Sequence, residues 1–279
     1  FWIEAEGFSI FYPCFPLFQR DYVLRQTAQL TQALSRVLFF RKDRRHDEAL
    51  QEIQNAGEQF LGLDLDDVHT ISYADVVAAL EARGLGGAGL EGAGPAADPA
   101  ADVAELFRQR GELDALRARP ADAQHSLRLA LHLYLDRYTR PGDTHAPDLA
   151  ARIDALLEQV APYTLPPDVL TLLFPYYEAA GRFDRAEDVL FILAEQPDEG
   201  LQARGVAFYE RLRRMTNTHL MAGGLSREEV AEVEGEGAGV PRLLHGQLAR
   251  GEGDHHAQRP HCDASAAAAG RPAGQGVQF

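Results

Sequence analysis

The sequence predicts an all-α fold in which helical hairpins stack as an α-solenoid. Apolar residues fall on helical stripes along most of the chain. In three places an alanine follows a short polar turn, and a small or apolar residue recurs seven positions later. No segment has the alternating apolar pattern of a half-buried strand, so no sheet is predicted.

The residues of this recurring pattern are Ala49 and Ala56, Ala123 and Ala130, and Gly181, Ala186 and Leu193. Residues seven apart lie on one face of a helix, where a small side chain lets a second helix approach closely. Such spacing is typical of tetratricopeptide-like repeats. We therefore expect these residues to pack where the paired helices meet.

Residues 18–83 are predicted to form a front helical hairpin followed by one further helix. Apolar stripes run along both helices of the hairpin, on either side of an arginine-rich turn. Ser72 and Asp75 have the spacing of a capping box, which places the start of the third helix at Ser72. Gly84 is expected to end that helix.

Residues 84–99 are predicted to be a Gly/Ala/Pro linker, because this composition buries little apolar surface. The linker is expected to join the front hairpin loosely to a rear helical-repeat array over residues 100–232. The last long helix of that array is predicted over residues 201–220. Ser226 and Glu229 again have capping-box spacing and predict a short final helix.

The two ends of the chain differ from the rest. Residues 1–17 are interpreted as a non-native or disordered extension, since the helical pattern begins abruptly after Pro16. Residues 233–279 contain mainly Gly, Ala, Arg, Pro and His without any period, and are interpreted as a disordered or frame-shifted tail.

Charge and composition narrow the range of partners. The 279 residues carry a formal net charge of −15, which argues against nucleic acid or an anionic membrane as the main partner. No stretch approaches the roughly 20 apolar residues of a membrane span. Cys14 and Cys262 lie near opposite ends and indicate no disulfide framework, so we expect a cytoplasmic protein.

Three stretches resemble a known family. Residues 18–26 read FQRDYVLRQ and open a helix, residues 176–188 read YYEAAGRFDRAED, and residues 224–230 read GLSREEV. These stretches resemble an uncharacterised bacterial family of tetratricopeptide-like helical-repeat proteins, a domain of unknown function. The resemblance covers residues 18–232. It implies a helical-repeat fold, and it supplies no catalytic residues.

One surface is predicted to bind a ligand. Arg20, Arg25, Gln26 and Gln32 are polar side chains on the first helix. The hypothesis is that they line a groove for an extended or helical peptide, with an arginine pairing to a carboxylate. The alternative is that they cover a solvated face or cap neighbouring helices.

Other candidate patterns in the sequence lack features that a functional site needs. The zinc-type residues His255, His256, His261 and Cys262 lie in the tail, and His125 and His132 are too far apart in sequence to share a metal ion easily. Asp64, Asp66 and Asp67 begin like a calcium loop but lack its glycine, and the glycines after Gly84 lack a phosphate-loop lysine. Aromatic residues at Phe174, Tyr176, Tyr177 and Phe183 fit a hairpin core better than a stacking site. No metal, cofactor or catalytic residue is predicted.

The expected function is a non-catalytic adaptor or scaffold that binds a protein or peptide, since stacked hairpins commonly present such a surface. The alternative is a regulatory module that binds a small molecule or nucleic acid in the concave groove. A deep pocket with converging titratable groups would instead favour an enzyme.

Overall fold

The computed structural model describes residues 4–5, 8–9, 15–85, 98–140, 147–194 and 199–235. From Phe15 onward all regular elements in these ranges are helical. They are α1 (Phe15–Lys42), α2 (His46–Ala56), α3 (Tyr73–Ala82), α4 (Pro99–Leu116), α5 (Pro120–Thr139), α6 (Pro147–Val160), α7 (Pro167–Ala179), α8 (Phe183–Ala194), α9 (Glu199–Arg213), α10 (Asn217–Ala222) and α11 (Arg227–Gly235). A π-helical turn at Gly57–Leu61 extends α2, and a 3₁₀ turn lies at Val68–Thr70.

Three pairs of consecutive helices pack as hairpins: α1 with α2, α4 with α5, and α7 with α8. Helix α4 also contacts α1 and α2, while α5 contacts α6 and α7, and α8 contacts α9. One hydrophobic core runs from Val23 on α1 to Val230 on α11. The front hairpin therefore packs directly on the helices that follow residues 84–99. Within the described ranges, none of the helices is long and apolar enough to cross a bilayer.

The three hairpin turns share one backbone geometry. In each, a residue with a left-handed backbone follows the first helix: Arg44 (φ 59°), Ala118 (φ 56°) and Gly181 (φ 71°). The amide of the next residue, which is an arginine in all three turns, donates to the carbonyl five residues back at 2.8–2.9 Å. This is the Schellman arrangement, which satisfies carbonyls at a helix C-terminus. The next helix begins one residue after that arginine.

The alanines after these turns lie inside the molecule. Ala49, Ala123 and Ala186 are buried, as are the residues seven positions later, namely Ala56, Ala130 and Leu193. In the second hairpin, a Cβ placed on Gly111 of α4 would lie 3.0 Å from the carbonyl oxygen of Ala123 on α5. Gly181 differs from these six positions: a Cβ there would meet nothing within 4 Å, so its requirement is the left-handed backbone.

Two helix starts are confirmed. At the start of α3, the Asp75 amide donates to the Ser72 hydroxyl at 3.2 Å and the Asp75 carboxylate accepts from the Ser72 amide at 2.8 Å. Ser226 and Glu229 make the same reciprocal pair before α11. Gly84, with φ of 70°, ends α3 as predicted. These features depend on residues only three or four apart, which is why the sequence reveals them.

One expectation was wrong. The predicted helix over residues 201–220 is two helices, because α9 ends at Arg213 and the Thr216 side chain accepts from the His219 amide to begin α10. Helix α4 begins at Pro99, where Asp98 caps it, and residues 86–97 of the predicted linker lie outside the described residues, so the linker stays a prediction. Two-residue antiparallel strands pair at Glu4–Ala5 and Phe8–Ser9, within the segment 1–17 that the sequence sets apart from the helical fold.

Candidate functional site

A cavity of about 820 Å³ opens between α6, α7 and α8. Its floor is aliphatic, made by Leu157, Val160, Leu165, Leu170, Leu173 and Val189. Tyr163 and Tyr177, both half-buried, add aromatic walls, and Ile192 at the edge is 51% exposed. An apolar floor with a few polar groups at its edge is the usual composition of a binding pocket.

An ion pair joins two of the helices around this cavity. Arg182, in the turn before α8, donates to both carboxylate oxygens of Asp154 on α6 at 2.6 Å each. The Tyr176 hydroxyl donates to the same carboxylate at 2.7 Å. Hydrogen bonds from Arg182, and then from Tyr176, hold the pKa of Asp154 below its ordinary value. The pair is therefore fully ionised near neutral pH and fixes α6 against the third hairpin.

Three further ionised side chains line the cavity: Glu158 on α6, and Arg185 and Asp188 on α8. Among the described residues, none of the three has an oppositely charged partner within 4.0 Å. They are the charged groups of the cavity that remain available to a ligand.

A second group of charges lies between α1 and α4, and its members satisfy one another. Arg41 on α1 pairs with Glu112 on α4 at 2.6 Å, and Arg108 pairs with Glu105 at 2.6 Å. The Tyr134 hydroxyl donates to Glu105 at 3.0 Å. Burial alone would raise the pKa of Glu105, but hydrogen bonding and charge from Arg108 hold the pKa below its ordinary value. This seam is best understood as a contact between the front hairpin and α4.

A buried ion pair also lies within α4. Arg110 is 2% exposed and donates through Nε to Asp114 at 2.7 Å, and the Asp114 side chain is fully buried. Asp66 in the loop after α2 lies 3.7 Å from Arg110 Nη1. A buried ion pair of this kind is costly to break by removing one partner, while the exposed Asp66 makes only a longer contact from the loop to Arg110.

The predicted peptide patch lies on α1, and its described side chains, Arg25, Gln26 and Gln32, are absent from the cavity lining. Arg25 and Gln32 are exposed and seven residues apart, so they share a face of α1, while Gln26 is half-buried. The side chain of Arg20 lies outside the described residues. The patch stays a prediction, and the cavity is a separate site that the sequence reasoning missed.

The candidate aromatic residues divide between core and cavity. Phe174, Tyr176 and Phe183 are buried in the hairpin core. Tyr177 is half-buried and lines the cavity. Three of the four residues are therefore buried in the core, and Tyr177 packs against the core while also lining the cavity.

His125, His132 and Asp64, whose side chains could ligate a metal ion, make other contacts. His125 Nε2 lies 2.8 Å from the Ile71 carbonyl oxygen, and His132 stacks on Tyr73 with 3.6 Å between ring centres. Asp64 accepts from Gln54 Nε2 at 2.8 Å and from the Asp66 amide at 3.0 Å. In the part of the chain that the structure describes, no three His, Cys, Asp or Glu side chains cluster as a metal site. His255, His256, His261 and Cys262 lie outside that part.

Fold and cavity together define an all-helical protein of packed hairpins with a partly apolar, partly charged cavity beside the third hairpin. The chain belongs to a family of unknown function, DUF6483, whose sequence profile matches residues 17–233. The predicted membership in a family of unknown function, expected over residues 18–232, is therefore confirmed. The same comparisons matched no curated protein and no solved structure.

Proposed function

We propose that this chain is a non-catalytic, tetratricopeptide-like interaction module that binds a segment of a partner protein in the cavity between α6, α7 and α8. The observation that carries the proposal is the aliphatic floor of that cavity, open to solvent beside the exposed Ile192. An apolar pocket of this kind accepts an anchor side chain of a peptide, which supplies most of the binding energy in such contacts.

The tetratricopeptide-like description rests on the repeated hairpin. Three turns with the same Schellman geometry each precede a buried alanine at the same distance. The close approach of α4 and α5 at Gly111 is the kind of contact that small residues allow. We assign the cytoplasm as the compartment, because the positions of Cys14 and Cys262 suggest no disulfide framework.

Site-specific photocrosslinking in the native host tests the site. A photoreactive phenylalanine at Ile192 should give discrete protein adducts, whereas the same residue at Val206, exposed on α9 and outside the cavity lining, should give none of them. Filling the cavity with Val189→Phe should abolish the adducts while leaving helical content unchanged. Identical adducts from both positions, or adducts insensitive to Val189→Phe, would refute the proposal.

The patch on α1 is tested in the same assay. The double variant Arg20→Glu and Arg25→Glu should leave the adducts at Ile192 unchanged if the cavity is the site. Loss of those adducts would move the binding surface to α1.

A second candidate function is a regulatory module for a small molecule. The volume of about 820 Å³ favours it, because ligand pockets commonly have volumes of roughly 300–1,000 Å³. Native mass spectrometry of protein purified from its host would then show a bound mass that Val189→Phe removes. Binding of nucleic acid is disfavoured by the net charge of −15, and a salt-dependent shift on RNA would revive it.

A further inference from the structure

The charges around the cavity are unbalanced once its internal ion pair is set aside. Arg182 donates to both oxygens of Asp154, so these two groups neutralise one another and add no net charge to the cavity. The remaining ionised side chains are two carboxylates, Glu158 and Asp188, and one guanidinium, Arg185. The available charge of the cavity is therefore negative.

The negative surplus does not depend on one arrangement of side chains. Arg185 and Asp188 are three residues apart on α8, a spacing at which opposite charges can meet on a helix surface. If they pair in solution, Glu158 on α6 is left without a partner. If they do not, carboxylates from two different helices face the ligand together.

We propose that the segment bound in this cavity is cationic: an aliphatic or aromatic anchor residue flanked by lysine or arginine. This inference rests on the proposed function and adds the chemistry of the partner. The anchor enters the floor made by residues such as Leu173 and Val189, and the flanking cations meet Glu158 and Asp188. The net charge of −15 also favours the association of a cationic partner.

An anionic segment fits the site less well. It would meet two carboxylates for one guanidinium outside the ion pair, and any contact with Arg182 would compete with the attraction between Arg182 and Asp154. Like charges in contact across an interface oppose association and exclude the wrong partner. The site thus selects by charge as well as by the apolar anchor.

Selection from a random dodecapeptide display library against the full chain tests the proposal. Peptides that are retained by the wild type and lost with Val189→Phe define the cavity-dependent set. We expect this set to be enriched in Lys and Arg within three residues of a large apolar residue, relative to the unselected library. A cavity-dependent set that is neutral or acidic would overturn the charge inference and leave the proposed function standing. The absence of any cavity-dependent set would refute both.

Charge reversal then locates the effect. For the peptide most enriched in the set, Glu158→Lys with Asp188→Lys should raise the Kd at least about tenfold, since two weak attractions become repulsions. The matched control is Glu81→Lys with Glu210→Lys, two exposed carboxylates on α3 and α9 that change the net charge by the same amount. It should raise the Kd by less than about threefold. Equal effects of the two double variants would assign the preference to overall charge and overturn the role of the cavity carboxylates.

Discussion

The hairpin turns predict that an Ala→Gly substitution stabilises the protein at Ala118, whereas the same substitution destabilises an ordinary helical position. Ala118 and Arg44 hold the left-handed backbone that Gly181 holds at the equivalent place in the third turn. A left-handed conformation costs a residue with a Cβ about 1–2 kcal/mol, and glycine avoids this cost. Ala118→Gly should therefore stabilise the protein, and Gly181→Ala should destabilise it.

The size of each effect follows from two opposing terms. Ala118→Gly removes about 1–2 kcal/mol of backbone strain but adds about 0.5–1 kcal/mol of conformational freedom to the unfolded chain. The expected net gain is about 0.5–1 kcal/mol. Gly181→Ala should cost a similar amount, because the same two backbone terms act with opposite sign and a Cβ there meets nothing within 4 Å. For a chain of this size, 1 kcal/mol corresponds to about 2–4 °C in Tm.

Urea unfolding followed by circular dichroism measures both changes against a matched control. Ala155 is exposed in the middle of α6, so Ala155→Gly should lower the free energy of unfolding by about 1 kcal/mol, the ordinary cost of glycine in a helix. The reasoning is refuted if Ala118→Gly destabilises the protein as Ala155→Gly does, or if Gly181→Ala has no effect.

Three further changes have defined outcomes. Gly223→Ala should cost about 1–3 kcal/mol in urea unfolding, because its Cβ would overlap the Phe183 ring, whereas Ala222→Gly should cost less. Asp114→Ala should cost about 3–5 kcal/mol, because the buried Arg110 charge would keep only the longer contact with the exposed Asp66, and adding Arg110→Met should recover part of that loss. Burial lowers the pKa of His132, so folding favours its neutral form. The free energy of unfolding should therefore be greatest above about pH 6.5 and fall as the pH drops below that value. His132→Phe should make Tm less dependent on pH in this range.

The parts of the fold that the sequence predicts are those specified by neighbouring residues. The pairs Ser72 with Asp75 and Ser226 with Glu229 lie three residues apart, and their side chains cap the helix whose start they mark. The buried alanines are also specified by local spacing, because each one follows the left-handed residue of its turn by five positions. Local spacing does not reveal the break after α9. Thr216 is a single capping residue inside a run of helix-compatible sequence, so the sequence predicts one continuous helix there.

The candidate site could not be predicted in this way. Asp154 and Arg182 are 28 residues apart, and only the packing of α6 against the third hairpin brings their side chains together. The hypothesis placed on Arg25 and Gln32 concerned residues of one helix, because a single helix is all that a local pattern can describe. Cavity walls drawn from three helices have no counterpart in a local pattern of the sequence.

The side-chain contacts of the third turn differ from those of the first turn and help to position the cavity beside α8. In the first turn, Arg45 pairs with Glu48 of its own helix at 3.0 Å. In the third turn the equivalent residue, Arg182, reaches α6, and the Asp184 amide donates to the Gly223 carbonyl at the end of α10 at 3.0 Å. The third turn thus holds α6 and the end of α10 against the hairpin of α7 and α8. The three turns share one backbone geometry, so the site depends on the side chains of the third hairpin and on the helices that contact it. Substitutions that alter which partner is bound should therefore be concentrated in the third hairpin.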